Sequence, residues 1–185
     1  ALTRYLAGEL DQTDIPIGQY PRLLEEYPTE AFAVPNLCTY YYHVNLREDA
    51  PPALLDVRVR QALNLAIDRD IVVNNILAGG QHPAYTLAHD AIAGWEVPEV
   101  PIAAMTQEER NAEAQRLMQE AGYGTGGEPL TLEIVYNTSD AHQQLAVAIG
   151  QMWKQTLGID TTLANMEWQT FLDARKNGDF ELARA

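Results

Sequence analysis

The chain has 185 residues, enough for one real core with an appendage, and 46% of them are hydrophobic. Twelve basic residues against 26 acidic ones leave a formal net charge of −14, which argues against nucleic acid or an anionic membrane as partner and describes a solvated acidic surface. No apolar run approaches the roughly 18 residues of a membrane span, and "ALTRYLAGEL" lacks the basic-then-apolar pattern of a signal peptide, as a mature secreted protein, a cytosolic one or a trimmed chain would.

In chain order, "TRYLAGELDQTDIPI" predicts a short amphipathic helix closed near Gly8, then an extended segment. "PRLLEEY" predicts a helix opened by Pro21, whose fixed φ suits a first turn. The aromatic and β-branched run "LCTYYYHVNL" predicts a strand, with the single cysteine, Cys38, as a small buried hydrophobe on it. In "DVRVRQALNLAIDRDIVVNNILAGG", Val59, Leu63, Ala66 and Ile67 share a helical face behind an Asp56 cap; Asp70 is expected to cap a second helix ending at Gly79 and Gly80. Residues 81 to 102 read as irregular, with Pro83, Pro98 and Pro101, and a loop so long is usually functional or wraps a neighbouring surface. Thr106 with Glu109 forms a capping box for a helix running to Gly122, and "GYGTGGEP" is a turn.

The last third is the most regular. "LTLEIVYNT" alternates as a strand, and "DAHQQLAVAIGQMWKQTLG" predicts a helix with Leu145, Ala148, Ile149, Met152 and Trp153 inward. "IDTTLAN" is a strand, "EWQTFLDARKNG" a helix and "FELARA" a strand. The βαβαβ order implies an α/β fold with a largely parallel sheet flanked by helices.

Four of these stretches, "LCTYYYHVN", "DVRVRQALNLAIDRDIVVNNILAGG", "VYNTSDAHQQLA" and "EWQTFLDARKNGDFELARA", resemble consecutive landmarks of one family. This is the oligopeptide- and murein-peptide-binding type of family 5 extracellular solute-binding proteins, which serve ABC importers. The resemblance covers essentially the whole chain. It implies a periplasmic-binding-protein-like lobe of a two-lobed receptor, with residues 1–37 as the end of the first lobe. Residues 38–185 would be most of the second, ligand-clamping lobe. Relatives are longer and continue the "ARA" strand into Gly-Trp-Cys-x-Asp, so the resemblance implies a fragment cut before that motif. Cys38 would then have lost its disulfide partner, and a fragment with half the cleft would bind peptide weakly or not at all.

A receptor that holds short peptides while ignoring their side chains must grip backbone amides, an ammonium and a carboxylate. The resemblance places Arg184 and Arg175 as ligand-facing arginines; a surface arginine and a helix-dipole arginine are the plain alternatives. Lys176 adjoins Arg175 where relatives often carry histidine, and adjacent helical residues diverge by about 100°, so at most one of the two faces a cleft. Trp168 matches an aromatic wall beside a side-chain pocket, or is core at helical spacing to Phe171. His142 matches a position that meets the carboxylate of longer peptides, or is a surface histidine. Tyr136 and Asn137 end their strand at the edge where ligands of open α/β sheets collect. His43 replaces a commonly acidic residue, and Asn75 stands about where relatives carry a lysine, which leaves the preferred peptide length open.

Other chemistries fit poorly. No nucleophile signature surrounds Cys38, His82 and His89 lack further ligands at helical spacing, and the glycine runs do not follow a strand into a helix. The expectation is a non-enzyme without cofactor or metal: the peptide-binding component of an ABC transporter, periplasmic or lipid-anchored at the cell surface. Its partners would be short peptides and, through the intact receptor, the permease subunits. A receptor for signalling or cell-wall peptides is the alternative within the class, and a small cysteine hydrolase the alternative outside it.

Overall fold

The computed structural model describes residues 1–34, 36–89 and 91–185, which group into two compact units. One comprises residues 1–36 and 69–83, the other residues 37–68 and 84–185. In the first unit, helices α1 (Leu2–Leu6) and α2 (Tyr20–Glu26) accompany the later helical stretch from Arg69, and Leu23, Ala31 and Val73 are buried. Pro21 does fall in the first turn of α2.

The second unit holds β1 (Tyr42–Val44), α3 (Pro52–Leu55) and α4 (Val57–Leu65). The first unit's α5 (Arg69–Ile71) follows in the chain. The second unit continues with α6 (Pro101–Ala104), α7 (Gln107–Ala121), β2 (Thr131–Asn137), α8 (Asp140–Leu157), β3 (Asp160–Met166), α9 (Trp168–Asn177) and β4 (Leu182–Arg184). Among the described residues the strands form one sheet in the order β1-β4-β2-β3, with β1 antiparallel to β4 and the other pairings parallel. The expected mixed, mostly parallel α/β sheet is therefore present.

Two apolar layers sandwich this sheet. On one face Leu132, Ile134, Tyr136 and Leu182 pack with α4, α7 and α8. On the other, Val135 and Ala183 pack with Phe171 of α9. Period-two alternation along β2 and β4 thus assigns each strand residue to one of the two layers.

Local chemistry fixes the helix ends. Asp56 caps α4 by accepting from the Arg58 N–H, and the Thr106–Glu109 capping box opens α7, both as expected. At the other end of α4 the unsatisfied carbonyls find side chains from elsewhere. Leu63 O accepts from Trp153 Nε1 at 2.9 Å, and Leu65 O accepts from Gln107 Nε2 at 3.0 Å. Arg110, only 3% exposed, donates to the carbonyls of Ile102 and Met105 and lies 5.5 Å from the Tyr85 ring centroid. It fastens the α6 segment to α7.

Several expectations need correction. Cys38 is exposed and lies outside any strand, because within its run only Tyr42–Val44 pairs with β4 and residues 37–40 have no strand ladder opposite them. Asp70 sits inside α5 rather than capping it; the helix continues as a π-helical turn over Val72–Leu77 and closes on Ala78 in the left-handed region, not on Gly79. On α8 the buried stripe runs through Leu145, Ala146, Ile149, Gly150 and Trp153, while Ala148 and Met152 are half-buried. Gly150 is the reason: a Cβ there would collide with Thr161 Oγ1, so the helix approaches β3 along its small residues.

Trp153→Phe would keep an aromatic side chain but shrink it and remove the donor to the Leu63 carbonyl, and should lower stability by about 1–3 kcal/mol in urea unfolding. Unchanged stability would show that the carbonyl finds another donor. Iodoacetamide should modify native Cys38 to completion without denaturant, read by intact mass; protection would contradict its exposure.

Candidate functional site

Strands β2, β3 and β4 run parallel, so their carboxyl ends, at Asn137, Met166 and Arg184, lie on one edge of the sheet. The helices that follow β2 and β3 begin at that same edge. Glu167 caps α9 by accepting from Gln169 N–H at 2.7 Å, which sets Trp168 as the first helical residue there. Ser139 precedes α8, placing His142 in its first turn. The edge of an open α/β sheet between helix amino ends is where such folds receive ligands.

β4 carries Arg184 to this edge by a pinned route. Gly178 closes α9 at φ +85, a left-handed conformation that favours glycine, and a Cβ there would run into the Arg47 guanidinium. Buried Asn45 then donates through Nδ2 to the carbonyls of Gly178 at 3.0 Å and Phe180 at 2.9 Å. With Leu182 and Ala183 buried in opposite layers, Arg184 emerges half-buried at the end of the ladder.

Around Arg184 the structure gathers four of the predicted residues. Its Nε donates to Asn137 Oδ1 at 2.7 Å. Its Cζ stands 5.8 Å from the Trp168 ring and 5.5 Å from the Phe171 ring, while Arg175 Cζ lies 5.7 Å from that same Phe171. Trp168 is 49% exposed and stacks on Phe171 at 6.2 Å, so it is a platform at the edge rather than a core residue. Arg184, Arg175 and Trp168 therefore converge on one aromatic centre.

His142 joins from the other layer. Its Nδ1 and the Tyr40 hydroxyl are 3.2 Å apart, with ring centroids at 5.6 Å. Burial holds the His142 pKa below its ordinary 6.5, and the positive charge of Arg184 adds to the depression. Burial likewise pushes the Tyr40 hydroxyl up to about 12, against opposing contributions from Tyr42 and Arg184, so it stays a protonated neutral group. Tyr42 is raised well above the phenol range, chiefly by burial, with the neighbouring Tyr40 adding to the rise.

The remaining predicted residues lie apart from this cluster. Tyr136 is 3% exposed and supports the edge from within the core. Lys176 is exposed, and its neighbour Arg175 is the one on Phe171. His43 is exposed, pairs with Ala183 in the β1–β4 ladder and meets Tyr41 edge-on at 5.3 Å. Tyr40 and the platform role of Phe171 went unread in the sequence. Phe171 had a signal in the i, i+3, i+7 spacing of Trp168, Phe171 and Arg175; Tyr40 was hidden in an aromatic run.

A concavity of about 940 Å³ opens between α4 and α7, beside Arg60, Asn64, Met105 and Arg116, and shares no residue with the edge cluster. Among the described residues no group of histidine, cysteine and carboxylate side chains is arranged to hold a metal ion. No helix among them is long and apolar enough to cross a membrane.

The sheet edge and its flanking helices are those of a solute-binding lobe. The sequence profile of bacterial extracellular solute-binding proteins, family 5 (middle), matches residues 1–185, and the chain belongs to that family. The periplasmic oligopeptide-binding protein OppA of Escherichia coli K12 is 44% identical, over 100% of this chain and 34% of its own length. The periplasmic murein peptide-binding protein MppA of the same strain is 42% identical over the same shares. The MppA structure superposes with a TM-score of 0.91 at 41% identity, covering 100% of this chain and 36% of that one. Haemophilus influenzae OppA in complex with RPPGFSPFR gives a TM-score of 0.86 at 34% identity, covering 100% of this chain and 36% of that one. This chain thus spans about a third of the length of the curated relatives it matches.

Replacing Arg184 with Ala should raise the His142 pKa in an NMR titration, since a like charge is removed. The stability consequence has a definite sign. With the folded-state pKa below the ordinary 6.5, His142 destabilises the fold as pH falls through that value, and its penalty is complete below the folded pKa. A folded-state pKa at or above 6.5 in the unmodified chain would contradict the buried setting.

Proposed function

We propose that this chain is the middle part of a periplasmic or surface-anchored receptor that binds short peptides and delivers them to an ABC permease. In this reading residues 38–185 form most of the second, ligand-clamping lobe and residues 1–37 the end of the first. The observation that carries it is the Arg184 cluster: a guanidinium without an ion-pair partner among the described residues, set on an aromatic platform beside a half-buried histidine. Such a cluster suits a carboxylate and an adjoining apolar side chain, two features common to peptide ligands. OppA and MppA, named as oligopeptide- and murein peptide-binding proteins, support the same class.

The mechanism is closure of two lobes on an extended peptide. Ligand stabilises the closed state only by the contacts it makes there and not in the open one. The exposed Cys38 is available to a cysteine elsewhere in the receptor, which would tie the start of β1 to the continuation of β4.

Calorimetry on the intact receptor with tri- to pentapeptides tests the reading. Stoichiometric binding is expected, weakened about tenfold or more by Arg184→Ala, because a charge-assisted hydrogen bond is lost. The chain by itself should bind weakly or not at all. Absence of binding by the intact receptor across such a panel would overturn the proposal, as would tight binding by residues 1–185 alone.

A further inference from the structure

A guanidinium carries five N–H donors, and this structure determines which of them remain for a ligand. The Nε–H of Arg184 is taken by Asn137 Oδ1 at 2.7 Å. The Phe171 and Trp168 rings stand 5.5 and 5.8 Å from Cζ and fix where the group rests. What remains is the terminal Nη edge, whose donors make no hydrogen bond among the described residues.

Asn137 is well placed to impose this choice. It is the last residue of β2, its backbone in register with Met166 of β3, and the next residue is tied down twice. Thr138 N–H donates to Met166 O at 2.9 Å, and Thr138 Oγ1 is 2.7 Å from Asn165 Oδ1. The anchor is an amide oxygen, which accepts from the cation without neutralising it. A carboxylate in the same place would pair with Arg184 and cancel the charge a ligand needs. Because Oδ1 faces the guanidinium, the Nδ2 amino group is left over, and it makes no hydrogen bond among the described residues. Arginine and asparagine together thus present donors only.

We infer that Asn137 is a positioning residue: by accepting the Arg184 Nε–H it turns the Nη edge outward and sets the site's preference for a carboxylate approaching end-on. This deepens the peptide-binding reading and rests on it. An end-on fork takes both oxygens of one carboxylate in its plane. A terminal amide offers a single acceptor there and brings donors of its own against the donors of Arg184 and Asn137. The arrangement therefore selects the acid end of a ligand, and Asn137 does so through Arg184.

The test is a mutant cycle in the intact receptor, using trialanine as the free acid and as its C-terminal amide. Asn137→Ala should weaken the acid about tenfold, as loss of one hydrogen bond to a charged group does. The isosteric Asn137→Asp should weaken it further by pairing with the guanidinium. Amide binding should move by no more than about twofold, and Asn137→Ala should add nothing in an Arg184→Ala background. Equal losses for acid and amide, or a loss that persists without Arg184, would make Asn137 a direct ligand contact and overturn the inference. A separate readout needs no ligand. In the 15N-labelled chain the Arg184 Nε–H should resist solvent exchange, and that protection should vanish in Asn137→Ala but survive in Asn137→Asp. An unprotected Nε–H in the unmodified chain sinks the positioning role whatever the receptor binds. A receptor that takes neither form of trialanine while the Nε–H is protected would instead count against the peptide reading.

Discussion

The register of β4 against β2 is the constraint on which the edge depends. Val135 stands opposite Ala183 and Ile134 opposite Leu182, all four fully or almost fully buried. A slip of one residue would exchange the two faces of β4 and press a guanidinium into the layer under Phe171, where Ala183 leaves no room. Held in this register, the strand delivers its cation to the end of the ladder. Within a chain of net charge −14 that edge is a local inversion of sign. No acid among the described residues forms an ion pair with Arg184, and the same charge helps keep His142 neutral.

The platform beneath Arg184 works by rigidity. Phe171 is fully buried, Trp168 stacks on it, and Asn137 is built into the end of a paired strand. A long flexible side chain loses rotamer freedom whenever it grips a ligand, and here much of that loss has already been taken by folding. The two arginines share Phe171 from one helix and one strand, so the α9–β4 connection controls their spacing. Asn45, the residue after β1, donates to two carbonyls in that connection and holds it.

How far the sequence could be read follows from how local each signal was. Caps and periodicity are local, so Asp56, the Thr106–Glu109 box and the βαβαβ order were legible. Arg184, Arg175, Trp168 and His142 could be named from family motifs and Asn137 from its place at a strand end, yet their gathering depends on parallel pairings between strands far apart in sequence. Cys38 was misplaced because composition marks a strand-like run but not where its partner stops; only Tyr42–Val44 of "LCTYYYHVNL" is paired as strand. The rotated face of α8 could not be read because burial at Gly150 follows from the close approach of Thr161, which no periodicity encodes. Tyr40 escaped since a tyrosine beside other tyrosines says nothing of which one reaches a histidine about a hundred residues away.

The buried guanidinium of Arg110 differs in kind from the one at the sheet edge. It is enclosed, and the partners described for it are two main-chain carbonyls, the Gln107 amide oxygen and the Tyr85 ring. Its donors are spent on fixed partners, where those at the edge are left over. The fastening of the irregular stretch to α7 is therefore built from donors and acceptors already paired within the fold. One arginine thus serves inside as a clasp, while the other keeps its terminal donors for the rim.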